Sequence, residues 1–113
     1  LSKMINLDEI KDKLLKEREE VLLMLETLKK EEEGVLKEDV YETSDLANKY
    51  EAREDLHLQI EALEKRLEIL EKALTKLNEG NYGKCERCGG DIEEERIFFD
   101  PAVIYCRKCA EKF

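Results

Sequence analysis

From Leu56 onward the apolar residues fall at Ile60, Leu63, Leu67, Leu70, Leu74 and Leu77, in alternating steps of four and three residues. That alternation is the seam of a coiled-coil helix. An earlier segment carries a matching stripe: Leu7, Leu14, Val21 and Leu28 recur every seven residues, and Ile10, Leu15, Leu22 and Leu25 widen it. Glu and Lys fill the intervening positions, with no Gly or Pro inside either seam, so helix propensity agrees with periodicity. Gly34 predicts an interruption of the first helix after Glu31-Glu32-Glu33. Thr43-Ser44-Asp45 offers N-cap oxygens for the second helix just before Leu46, and Gly80 and Gly83 close it.

Two amphipathic helices joined by a short polar connection predict a mainly α protein built on a long antiparallel coiled-coil hairpin. Each arm of about 30 residues would measure roughly 45 Å at the rise of an α-helix. Two chains zipping as a dimer is the alternative use of the same seams. The hairpin is assigned to residues 1–79 and a separate small module to residues 80–113, at the open end of the hairpin. Within that module Ile97-Phe98-Phe99 and Val103-Ile104-Tyr105 flank Asp100-Pro101 and read as two short apolar strands or extended segments. Tyr82, Phe98, Phe99, Tyr105 and Phe113 are expected to form its small core.

Composition narrows the function. Charged residues make up 43% of the 113-residue chain, with four Tyr, three Phe, no Trp and one Pro. Such a chain cannot build a thick globular core but suits helices that bury a narrow stripe. A net charge of −9 argues against direct binding to duplex DNA, sequence-specific or otherwise, since affinity there comes mainly from phosphate neutralisation. No apolar run approaches the ~20 residues of a membrane span. With no secretory signal, the expected location is cytoplasmic.

The chemistry lies in the four cysteines. Cys85-Glu86-Arg87-Cys88 and Cys106-Arg107-Lys108-Cys109 are two Cys-x-x-Cys pairs, and the chain has no other cysteine. Two tight turns of this spacing present four thiolates to one tetrahedral ion, which predicts a single structural zinc ion, Zn2+. Two disulfides or a redox dithiol would need an oxidising compartment or a βαβ context, and neither is indicated. Iron could occupy the same four-sulfur set. Lys84, Arg87, Arg107 and Lys108 are placed to offset the charge of a zinc tetrathiolate. A closed four-sulfur shell leaves no position for water or substrate, so the chain is not expected to be an enzyme. His57, the only histidine, lies at the edge of the seam and reads as a surface residue. There is no Ser/His/Asp set and no glycine-rich phosphate loop.

Negative charge gathers in the connection between the helices. Glu31, Glu32, Glu33, Glu38, Asp39, Glu42 and Asp45 face one Lys37 over residues 31–45, whereas the residues from Gly80 carry six basic and seven acidic groups. A solvated loop would account for this. So would a tip that carries carboxylates to a cation or a basic surface far from the zinc module.

The run Gly80-Asn81-Tyr82-Gly83, then Cys85, Cys88-Gly89, Arg96, Pro101-Ala102, Cys106 and Cys109 resembles the zinc module of the DksA/TraR family. Glu42, Asp45 and Ala47 resemble the Asp-x-x-Asp-x-Ala motif at the coiled-coil tip of that family, with Glu42 standing where Asp is more common. Family members are bacterial transcription regulators that bind RNA polymerase directly without binding promoter DNA. Their coiled coil enters the secondary channel, and open-complex stability changes as a result. The resemblance implies the same partner here, with Asp45 and Ala47 contacting polymerase near its active site and Glu42 assisting. Members that respond to ppGpp use basic residues on the second coiled-coil helix and on a longer C-terminal helix. The matching helix positions here are Ala62 and Ile69, which cannot pair with phosphate, so a ppGpp response of that kind is not expected. Two rival readings are a Gre-like transcript cleavage factor, against which the zinc module argues, and a zinc-ribbon adaptor that holds protein partners through its helices.

Overall fold

The computed structural model describes the backbone of residues 5–37 and 43–112 and the side chains of residues 5–34 and 51–112. Among these residues four helices follow in order: α1 (Leu7–Lys37), α2 (Thr43–Glu79), α3 (Glu94–Phe99) and α4 (Arg107–Glu111). Among the described residues there is no strand, only an isolated antiparallel bridge between Lys84 and Asp91. No helix among the described residues is long and apolar enough to cross a membrane.

The start of α1 is fixed by Asn6. Its Oδ1 accepts from the amides of Asp8 (3.0 Å) and Glu9 (3.2 Å), and its carbonyl accepts from Ile10 (3.1 Å). Two of the otherwise orphaned first-turn donors are thereby satisfied, and the carboxylates of Asp8 and Glu9 complement the positive end of the helix dipole. The expected interruption at Gly34 does not occur, and α1 continues to Lys37. One glycine costs a helix only about 1 kcal/mol relative to alanine, less than its strong helix-forming neighbours supply together.

The chain divides into two compact units. One joins the residues up to Glu19 with Glu68 onward. Its buried side chains include Ile10 and Leu14 from α1, Leu70, Ala73 and Lys76 from α2, and Tyr82, Ile92, Ile97, Ala102, Ile104, Cys85, Cys106 and Cys109 from the segment beyond. Arg18 of α1 faces Glu71 of α2 across 3.6 Å. The other unit is Glu20–Leu67. There Val21, Leu25 and Ile60 are buried, and Glu32 lies 3.9 Å from His57. Gln59 shares a concavity with Leu23, Met24, Thr27 and Leu28, while Arg53, Glu54 and His57 share one with Glu32. Later residues of α1 thus meet earlier residues of α2, and within this unit the two helices run antiparallel.

Three details of the sequence pattern are corrected. The segment Ile97-Phe98-Phe99 is the end of α3, not a strand. Glu94 and Glu95 stabilise its first turn and Asp100, in extended conformation, ends it before Pro101. The aromatic core is smaller than expected: Tyr82 is buried and Tyr105 half-buried, but Phe98 and Phe99 are exposed, and Phe113 lies outside the described residues. Finally, Leu15 and Leu22 do not widen the buried stripe of α1 but face solvent, and so does Leu7, the first of its heptad positions.

Candidate metal centre

The first cysteine pair is set up by the end of α2. Gly80, with φ of +81°, donates to Leu77 O (3.3 Å), and Asn81 donates to Lys76 O (3.0 Å). This is a Schellman closure, in which a left-handed residue lets the last carbonyls of the helix find donors. Beyond it the chain folds back on itself: Cys85 N–H donates to Gly90 O (2.7 Å), Gly89 N–H to Cys85 O (3.0 Å) and Ile92 N–H to Gly83 O (2.8 Å). Gly89 takes a φ of +74°, a conformation that lets the knuckle reverse immediately after Cys88.

The second pair sits on α4, with Cys106 as its N-cap residue and Cys109 inside it. The side chain of Cys106 does not cap the helix. Instead the Glu93 carboxylate accepts from the Arg107 amide at 2.9 Å, tying the start of α3 to the start of α4. Glu86 N–H donates to Ile104 O at 2.7 Å and joins the two knuckles.

The four sulfurs of Cys85, Cys88, Cys106 and Cys109 all lie within 4.8 Å of one another. Cys88 Sγ and Cys106 Sγ are 3.7 Å apart. A disulfide would bring two sulfurs to about 2.05 Å, whereas a tetrahedral zinc with Zn–S of about 2.3 Å holds them about 3.8 Å apart. The geometry is therefore that of ligands around one ion. Backbone donors face the sulfurs as a thiolate requires: Arg87 N–H to Cys85 Sγ (3.4 Å) and Gly90 N–H to Cys88 Sγ (3.4 Å). Cys85, Cys106 and Cys109 are buried, while Cys88 is exposed.

Two opposing effects act on these thiols. Burial works against ionising Cys85, but the backbone amides of Cys88, Cys106 and Arg87 and the thiol of Cys109 bring it down to about 6. Burial and the hydrogen bonds it makes to the other three sulfurs push Cys109 up to about 12. A bound dication overrides both, because coordination requires all four as thiolates. The four cations expected to balance that charge are only partly available. Lys84 is bonded to Asp91, and Arg107 Nε lies 3.2 Å from Glu111 Oε1.

Three side-chain contacts that the sequence did not foresee hold this module in place. Lys76, on the last turn of α2, is buried to 6% exposure with its Nζ 3.2 Å from Glu86 Oε2 beside the first cysteine. Tyr82 Oη donates to Pro101 O at 2.6 Å, and Glu93 caps α4. The Lys76 position falls outside the heptad seam, and none of the three partners could be paired by spacing. Of the tip residues, Glu42 lies outside the described residues. Asp45 and Ala47 lie on the backbone of α2, but their side chains are also outside what is described.

Residues 80–113 match the family model of the prokaryotic dksA/traR C4-type zinc finger. The fold is similar to that of transcription factor DksA2 from Pseudomonas aeruginosa, with a TM-score of 0.79 and 27% identity, over 94% of this chain and 81% of that one. An uncharacterised protein of Aquifex aeolicus (strain VF5) is 48% identical over 46 residues, which is 41% of this chain and 32% of that relative. The chain is thus a mainly helical protein with a C4 zinc finger whose cysteines fit one structural zinc ion. The zinc-finger match and the DksA-like fold together support the DksA/TraR family.

Proposed function

We propose that this chain is a bacterial transcription regulator that binds RNA polymerase directly, and that it acts as a regulator, not an enzyme. The likeness to the transcription factor DksA2 over 94% of the chain carries this reading, and the C4 zinc-finger match supports it independently. In this reading residues 1–79 form the helical arm and residues 80–113 the zinc-bearing base. The acidic tip around residues 31–45 enters the secondary channel of polymerase, with Asp45 and Ala47 as contacts near the active site and Glu42 beside them. Zinc, held by Cys85, Cys88, Cys106 and Cys109, stabilises the base and takes no part in chemistry. The work is done in the cytoplasm, on open complexes, without contact to promoter sequence.

A photo-crosslinker in place of Ala47 tests the placement. Crosslinks to the large polymerase subunits at the channel that leads to the active site are expected. Crosslinks confined to other surfaces, or none at saturating polymerase, would contradict it.

A further inference from the structure

The aromatic pair at the end of α3 plays no part in the metal centre. Ile97 is buried beneath it, yet Phe98 and Phe99 remain 58% and 93% exposed. Burying a Phe side chain is worth about 1.5–3 kcal/mol, and this chain has only three Phe, two of which it leaves side by side in water.

Their presentation is fixed by hydrogen bonds on both sides. Asp100 N–H donates to Arg96 O (2.9 Å), Val103 N–H to Asp100 O (3.0 Å) and Ala102 N–H to Asp100 Oδ1 (3.1 Å). The Glu93 bond to the Arg107 amide anchors the other end of α3. Phe99, Glu95, Arg96, Asp100 and Val103 line an open concavity of about 370 Å³. The charge around the pair is predominantly negative, with Arg107 beside Glu93 as a further cation. Between residues 93 and 100, Glu93, Glu94, Glu95 and Asp100 stand against Arg96, which itself faces Glu93 at 4.0 Å.

We infer that Phe98, Phe99 and the concavity beside Phe99 form a docking surface for a protein whose own surface presents an apolar pocket bordered by Arg or Lys. The charge selects this occupant. Lipid and nucleic-acid phosphates are repelled by the same carboxylates. A second copy of the chain, at net −9, would bring like charges together around like aromatics in a two-fold contact. A basic protein surface instead gains from both the buried aromatics and the complementary charge. The identity of the partner rests on the function proposed above: the complementary surface lies on RNA polymerase. The contact supplies affinity, separately from what the tip does to open complexes.

The test is titration of the full-length, zinc-loaded chain with core RNA polymerase. The Phe98→Ala/Phe99→Ala variant is expected to bind about tenfold or more weakly, and still to act on open complexes at saturating concentration. Glu94→Lys/Glu95→Lys, at exposed positions that leave the aromatics untouched, is expected to bind more weakly with a shallower salt dependence. Zinc content and helical signal should match wild type in both. Wild-type affinity in both variants would overturn the docking surface while leaving the polymerase reading intact. No binding by wild type would overturn both. Wild-type dimerisation that is lost on Phe98→Ala/Phe99→Ala would assign the surface to a second copy and overturn the inference.

Discussion

Lys76 of α2 and Glu86 of the first zinc knuckle meet with Nζ and Oε2 3.2 Å apart, the lysine buried and the carboxylate partly open to water. A lysine in the last turn of a helix also lies where the unpaired carbonyls favour positive charge. The pair therefore stitches the helix to the metal-binding turn by charge as well as by packing.

Removing one partner of such a pair is expected to cost more than removing the charge from the buried side. Glu86→Gln leaves Lys76 with a weaker acceptor. Because Glu86 is substantially exposed, the loss should be about 1–2 kcal/mol, less than the 3–5 of a fully buried pair. Lys76→Met, which keeps the packing volume without the charge, should cost less. Urea midpoints of the zinc-loaded protein decide this, and an unchanged midpoint for Glu86→Gln would show that the pair contributes nothing.

Tyr82 makes the protein sensitive to alkali. Burial, reinforced by the charge of Asp100, raises its phenol from 10.0 to about 12. The folded state thus favours the protonated form, so this contribution to stability is complete below pH 10 and is lost as pH rises through about 12. A tyrosinate absorbance titration should show a late phenol ionisation that occurs only with unfolding of the module. Tyr82→Phe should abolish that late step, and at neutral pH should cost about 1 kcal/mol for the bond to Pro101 O. A late step that persists in Tyr82→Phe would assign it to another tyrosine.

The metal is expected to hold residues 80–112 together. Apart from the sulfurs, the buried side chains contributed by this segment are Tyr82, Ile92, Ile97, Ala102 and Ile104. That core is too small to fold without its ion. Chelation should collapse the near-UV tyrosine signal and open this segment to protease while most far-UV helical signal from α1 and α2 persists. Unchanged protease resistance after verified zinc loss would contradict this.

Gly80 offers a purely conformational test. Its φ is +81°, and a Cβ there would meet nothing within 4 Å. Gly80→Ala should therefore destabilise by about 1 kcal/mol through backbone strain alone, without altering zinc stoichiometry. A larger loss accompanied by zinc release would mean that the turn also governs the metal site.

Much of this was legible in the sequence, for identifiable reasons. Cysteine spacing translates directly into ligand geometry, and Leu70 and Ile60 are buried where the heptad placed them. The pattern misled where segments were too short to show a period. Ile97-Phe98-Phe99 has the β-propensity of a strand, but its helix is set by the preceding carboxylates and by Asp100-Pro101, and three residues cannot distinguish the two periodicities. Ala73 and Lys76 escaped notice because that face of α2 packs within the unit that also holds the cysteine module, which widens the buried stripe beyond the seam. Pairings such as Tyr82 with Pro101, or Glu93 with Arg107, join residues 19 and 14 positions apart through folded turns and leave no periodic trace.

The most direct test of the account is the lifetime of a short-lived promoter open complex formed by the cognate RNA polymerase, with wild-type protein or Asp45→Ala added. Wild type is expected to shorten the lifetime, and Asp45→Ala, with zinc content and helicity unchanged, is expected to lose that effect. An equal effect from both proteins would remove Asp45 from the mechanism. No effect from either, at concentrations where wild type binds polymerase, would contradict action through the secondary channel.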